Sequence, residues 1–234
     1  MKLGIFTRAD NSISPMTSIT HPFLKDYADK CNADFRLIEG APPVITDDGH
    51  PHWKIANLYN HYDEYDRILC IDSDILILPT CPNLFDEVPE ECIGSSFEDV
   101  GSRIGPRRQS IKNIQKQFGD INWKQGYINT GVIVTSKMHR DVFTSINGKW
   151  YTSFGSDDVH IGYKAFKSGF KIHQLSYKFN HMTMFSEPWN KNANRFDSYI
   201  IHYAGRGQFN IKLDRISNIK EDVKKVREMY ANYK

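Results

Sequence analysis

The chain has 234 residues, 40% of them hydrophobic and 25% charged, with a formal net charge of +2. This is an ordinary globular composition with enough chain for a substantial core, and the small charge, without any RNP, zinc-finger or helix-turn-helix pattern, argues against a nucleic-acid binder. Cys31, Cys70, Cys81 and Cys92 form no C-x-x-C pair, so reduced thiols are expected, and the lack of a signal peptide or an apolar run of bilayer length predicts a cytoplasmic protein with no transmembrane segment.

A first strand is expected at 3–6, running into the polar stretch TRADNSIS. A helical pattern follows at about 21–30, then the strand DFRLIE and the Pro- and Gly-rich loop APPVITDDGHP. Residues 53–62 read as a second helix, with Trp53, Ala56, Leu58 and Tyr59 toward the core, leading through DEYDR to the strand RILCI. Further strands are expected at 91–97, at 127–135 (YINTGVIVT) and in FKIHQL. A basic helix lies between the first two of these, and a helix at 157–168, stopped by Gly169, precedes the third. The last helix is expected to be capped by Ser217, with Ile219, Val223, Val226 and Tyr230 on one face. This alternation predicts an α/β fold, a mixed, mainly parallel sheet flanked by helices in a single domain.

Within RILCIDSDILIL, Asp72 and Asp74 sit in an otherwise apolar run, where an ionised carboxylate is costly unless it is paired or holds a metal. Two residues apart in an extended segment, they point to the same side and leave Ser73 opposite. Converging carboxylates repel, and a divalent cation removes that conflict. Carboxylates suit magnesium or manganese, and an imidazole from His202 tilts the choice toward manganese. Open α/β sheets bind ligands beyond the carboxyl ends of their strands, which brings residues 7–11, 72–74 and His202 toward one place.

The segment YDRILCIDSDILIL resembles the strand and D-x-D motif of GT-A fold (Rossmann-like) glycosyltransferases, most closely the glycogenin-like and lipopolysaccharide galactosyltransferase group. The resemblance implies a nucleotide-sugar-dependent hexosyltransferase in which Asp72, Asp74 and a C-terminal histidine, here His202, bind Mn²⁺ (or Mg²⁺) against the donor diphosphate. IIHYAGRGQ is similar to the group's H-x-x-G-x-x-K, with Gln208 in place of the lysine, so Gly205 and Arg206 are expected to serve the diphosphate. The first loop implies Thr7, Arg8 and Asp10 as nucleotide contacts, the following helix Lys54, and the D-x-D itself Ser73. YINTGVIV implies that Asn129, Thr130 and Gly131 face the sugar. One catalytic domain is then expected over 1–234: a nucleotide-sugar-binding half at 1–105, an acceptor half at 106–215 and a C-terminal helix at 216–234. The implied donor is a UDP-sugar and the acceptor a glycan or another hydroxyl compound.

GSDDVHIGYKAFKSG carries the catalytic candidates Asp157 and Asp158. It resembles imperfectly the acidic segment of retaining members, and also the helix-opening acidic pair of inverting GT-A enzymes, in which Asp158 would be the base. The His202 and Asn-Thr-Gly segments favour retention. Two other functions compete. A haloacid-dehalogenase-like phosphatase also uses a strand followed by D-x-D, but it requires a downstream G-D-x-x-x-D that is missing here. A catalytically silent nucleotide-sugar or glycan-binding module would keep the same metal residues.

Overall fold

A computed structural model describes residues 1–205 and 208–231. The apolar runs become strands and the periodic segments helices, in this order: β1 (Leu3–Thr7), α1 (Ser14–Lys30), β2 (Asp34–Leu37), α2 (Leu58–His61), β3 (Arg67–Ile71), β4 (Ile75–Ile77), α3 (Leu84–Glu87), β5 (Cys92–Phe97), α4 (Ile104–Phe118), β6 (Ile128–Ser136), α5 (Ser156–Lys167), β7 (Lys171–Gln174), β8 (Ile200–His202) and α6 (Arg215–Met229).

The main sheet has the order β2-β1-β3-β6-β5-β7. Strand β6 runs antiparallel to both β3 and β5, while the pairs β1–β2, β1–β3 and β5–β7 are parallel. Alternate residues of one strand serve the two faces, as a period of two requires. Ile5, Leu69 and Ile71 meet Leu24, Tyr27 and Ala28 of α1 on one side. Phe6, Ile68 and Cys70 meet Trp53, Tyr62, Ile161 and Ala165 on the other. Strands β4 and β8 form a separate two-stranded antiparallel sheet, covered by Ile219, Val223 and Val226 of α6. All four cysteines are buried free thiols, and no helix among the described residues is long and apolar enough to cross a membrane.

Three expectations about elements are corrected. Helix α1 begins at Ser14 rather than near residue 21, because Pro15 occupies its first turn, where the missing N–H is no loss, while Pro22 lies within it. Residues 53–62 are not one helix: His52–Asn57 is a 3₁₀ stretch followed by the single turn α2, and the segment is held from outside by Trp53 Nε1 donating to the Tyr151 carbonyl (3.0 Å). Helix α6 is capped by Asp214, which accepts from the Ser217 amide (2.8 Å), so Ser217 is a donor inside the first turn.

Candidate active site

Asp72, Ser73 and Asp74 occupy the break between β3 and β4, and each is fixed by its own backbone. The Asp72 amide donates to the Gly131 carbonyl (2.9 Å), extending the β3–β6 ladder, and the Tyr203 amide donates to the Asp74 carbonyl (2.9 Å), extending β4–β8. Between them Thr20 of α1 donates its hydroxyl to the Ser73 carbonyl (2.7 Å). The Ser73 side chain points away from the two carboxylates, donating to the Arg8 carbonyl and meeting the Thr7 hydroxyl at 3.0 Å.

The two carboxylates and His202 form a cluster whose candidate ligand atoms lie within 4.8 Å of one another. His202 Nε2 is 3.6 Å from Asp72 Oδ2 and 3.3 Å from Asp74 Oδ1. Neighbouring ligands of an octahedral Mg²⁺ or Mn²⁺ stand roughly 3 Å apart, so the two histidine–carboxylate distances suit one such ion, whose other positions would go to oxygen ligands. The second oxygen of each aspartate is held by an arginine: Arg8 pairs with Asp72 Oδ1, and Arg215 with Asp74 Oδ2 at 3.2 Å. Burial pushes the Asp74 carboxyl up, but His202 and Arg215 outweigh it and hold it below the usual range. Burial likewise lowers His202, and Asp74 with Asp72 reverses the effect, raising it above an ordinary histidine.

Gly131 lies beneath this cluster. A β-carbon there would stand 2.4 Å from His202 Cε1 and 2.9 Å from Asp72 Oδ2, so only glycine lets β6 pass this close to the candidate ligand set.

A cavity of about 800 Å³ opens from the cluster, within the range of small-molecule sites. Its wall includes Asp157 and Asp158 at the start of α5, the loop residues Asp47, Asp48, His50 and His52, and Arg103, Arg107 and Arg215. Arg8 ties the two acidic groups together, since it pairs with Asp157 Oδ2 as well as with Asp72. Thr130 donates from its amide to Asp158 Oδ1 (2.7 Å), and its hydroxyl lies between Asp158 Oδ1 (2.7 Å) and Asp157 Oδ2 (3.1 Å). Burial raises both carboxyls. For Asp157 the Arg8 guanidinium prevails and keeps it low, whereas Asp158, burdened also by the charges of Asp157 and Glu98, is pushed up to about 7.

Of the residues singled out in the sequence, Arg8, Asp72, Asp74, Asn129, Thr130, Asp157, Asp158, His202 and Gly205 line the cavity. Thr7, Ser73 and Gly131 support it from behind. Lys54 donates to the Ala9 carbonyl (2.9 Å) and Asp10 caps a short 3₁₀ turn, neither contributing to the cavity wall. Arg206 lies outside the described residues.

Sequence reasoning missed Glu98, Asn180 and Arg215, and reached Arg103 and Arg107 only as part of a basic segment. The buried Glu98 pairs with Arg103 and with Arg107 (2.6 Å), and these two guanidiniums outweigh its burial and hold its carboxyl below the usual range. The alternation of β5, CIGSSFED, with acids directly after a strand end, was the one signal that pointed to Glu98.

No protein-family model matches the chain, and no curated protein matches its sequence. Solved structures do match it. A glycosyltransferase involved in glycosylation of the major capsid of PBCV-1 aligns over 93% of this chain and all of its own, at 13% identity and a TM-score of 0.56. The galactosyltransferase LgtC, in complex with donor and acceptor sugar analogues, aligns over 93% of this chain and 94% of its own, at 14% identity and a TM-score of 0.59. The fold is that of the GT-A glycosyltransferases. The bifunctional glycosyltransferase WbbM shares it too, with 15% identity and a TM-score of 0.62 over 95% of this chain, which spans 49% of that protein. In this fold the small β4–β8 sheet carries His202 to the D-x-D turn, although they are far apart in sequence.

Proposed function

We propose that the protein is a metal-dependent glycosyltransferase that moves a hexose from a nucleotide-diphosphate sugar, a UDP-sugar by resemblance, to a hydroxyl of a glycan or similar acceptor. The observation that carries this reading is the convergence of Asp72 Oδ2, Asp74 Oδ1 and His202 Nε2 at a polar cavity of about 800 Å³ in a chain of this fold. A bound Mn²⁺ or Mg²⁺ would act as Lewis acid toward the departing diphosphate. The chain's own residues do the rest. Asp72, Asp74 and His202 hold the ion, while Arg8 and Arg215 set the two carboxylates and add positive charge where negative charge develops. Thr130 and Arg8 orient Asp157 and Asp158 toward the same cavity.

The His202 and Asn-Thr-Gly segments favour retention of the anomeric configuration, while the helix-opening Asp157–Asp158 pair resembles that of inverting enzymes. One observation favours a second reading, inversion: Asp158, with its carboxyl near neutrality and fixed by Thr130, has the proton affinity of a general base for an acceptor hydroxyl.

The test is calorimetric titration with UDP, GDP and their sugar conjugates, with Mn²⁺ and with EDTA, followed by NMR of sugar released on slow hydrolysis. Manganese-dependent binding of one nucleotide is expected, and the first anomer to appear assigns the stereochemistry. Failure of every nucleotide to bind would remove the reading.

A further inference from the structure

Behind His202 runs a chain of buried side chains whose direction can be read from chemistry alone. His202 Nδ1 lies 2.7 Å from Asn180 Oδ1. Asn180 Nδ2 donates to Asn129 Oδ1 (2.9 Å), and Asn129 Nδ2 donates to Glu98 Oε2 (3.1 Å). All four residues are buried.

Each amide in this chain has two orientations, and the ends decide between them. A carboxylate only accepts, and Glu98 is held as one by Arg103 and Arg107, so Asn129 must turn its nitrogen toward it. A backbone N–H only donates, and Gly131 N (3.0 Å) therefore requires the Asn129 oxygen at the other end. With the Asn129 oxygen fixed, Asn180 presents nitrogen to it and oxygen to His202. The imidazole then carries a proton on Nδ1, and its Nε2 faces Asp72 and Asp74, whose charges favour a second proton there that a bound cation would displace.

We propose that Asn180 is a positioning residue for the metal site, with Asn129 and Glu98 setting its direction. The relay holds the neutral His202 ring in the Nδ1–H tautomer, the only one able to donate Nε2 to a divalent cation. The inference deepens the functional reading above and rests on it for the role of the cation. It also gives Asn129, expected from sequence to face the sugar, a second task, because both ends of its amide are engaged in the relay. A partner on the non-ligating nitrogen is what keeps a histidine ligand in one tautomer and orientation, and losing such a partner commonly weakens metal binding about 10- to 100-fold.

Two variants separate this role from packing. Asn180→Leu keeps nearly the same volume without an acceptor, and Asn180→Asp keeps an acceptor at Nδ1. With native circular dichroism as the entry condition, calorimetry with Mn²⁺ is expected to show binding weakened about 10- to 100-fold in Asn180→Leu and changed only a few-fold in Asn180→Asp. Wild-type affinity in Asn180→Leu, or an equal loss in both variants, would overturn the relay. A second measurement needs no variant: long-range ¹⁵N–¹H NMR of the metal-free wild type in EDTA at alkaline pH, where the ring is neutral, should find the His202 proton on Nδ1. A proton on Nε2 would overturn the proposal. Absence of Mn²⁺ binding in the wild type would instead count against the functional reading, and the tautomer would still decide the relay.

Discussion

Asp157 and Asp158 are neighbours that share the Thr130 hydroxyl, yet their surroundings drive them apart: Arg8 holds the first charged, while burial and two nearby carboxylates keep a proton on the second up to about pH 7. This split has a stability consequence with a definite sign. An aspartate in an unfolded chain titrates near pH ~3.9, so between that value and about 7 the native protein keeps a proton that the unfolded chain has released. Protonation thus favours the native state, and its contribution, at ~1.4 kcal/mol per unit of pKa difference, drains away as pH rises through about 7. Asp158→Asn cannot ionise. It should match the wild type in thermal stability at pH 4 and exceed it at pH 8, while losing activity. Melting curves at both pH values check this, and an unchanged gap between the two proteins would refute the assignment. For Asp74 the expectation is different. Asp74→Asn leaves Arg215 without its anion and the cluster with one carboxylate, so turnover should fall at least ~100-fold with circular dichroism unchanged.

At the level of elements, the site depends on how closely α1 and β6 approach the D-x-D turn. Thr20→Val removes the donor to the Ser73 carbonyl and leaves that buried oxygen unsatisfied, which should cost ~1–3 kcal/mol in chemical denaturation. Gly131→Ala forces a β-carbon against His202 and Asp72, and overpacking of this kind costs ~1–3 kcal/mol. Because the displaced atoms belong to the proposed ligand set, Mn²⁺ affinity should fall along with stability, whereas Thr20→Val should affect stability more than affinity. Calorimetry on both variants separates the cases. These same elements show what the sequence could convey. RILCIDSDILIL was legible because buried acids in a β-branched run have few explanations, and His202 because a strand led into it. The start of α1 was hidden by two prolines, either of which suits a helix's first turn. Asn180 was hidden because it lies between a 3₁₀ turn and β8, in a stretch with no hydrophobic period to place it. Glu98 and Arg107 were hidden because their pairing joins the end of β5 to α4, and no sequence period relates the two elements.

Across the whole molecule the ion-paired groups of the site are nearly balanced in charge before anything binds, while the exposed Asp47 and Asp48 stand apart in its wall. Asp72, Asp74, Asp157 and Glu98 are matched by Arg8, Arg103, Arg107 and Arg215. A divalent cation alone would leave the cavity strongly positive, and a nucleotide diphosphate alone would leave it strongly negative. Bound together they restore balance in a place where burial makes an excess of either sign expensive. Metal and nucleotide should therefore bind cooperatively, each strengthening the other by the same factor, and couplings of this sort are typically about 5- to 150-fold. Titrating Mn²⁺ in the presence and absence of saturating UDP measures the factor directly, and the reverse titration must return the same value. The coupling should also appear in thermal unfolding, since a ligand at 100 times its dissociation constant adds ~2.7 kcal/mol to native stability. For a chain of this size each kcal/mol is worth about 2–4 °C, so Mn²⁺ and UDP together should raise the midpoint by more than the two separate shifts combined. Strictly additive shifts, with one Mn²⁺ affinity whether or not nucleotide is present, would mean that the arginines alone satisfy the diphosphate and that the aspartates serve another purpose.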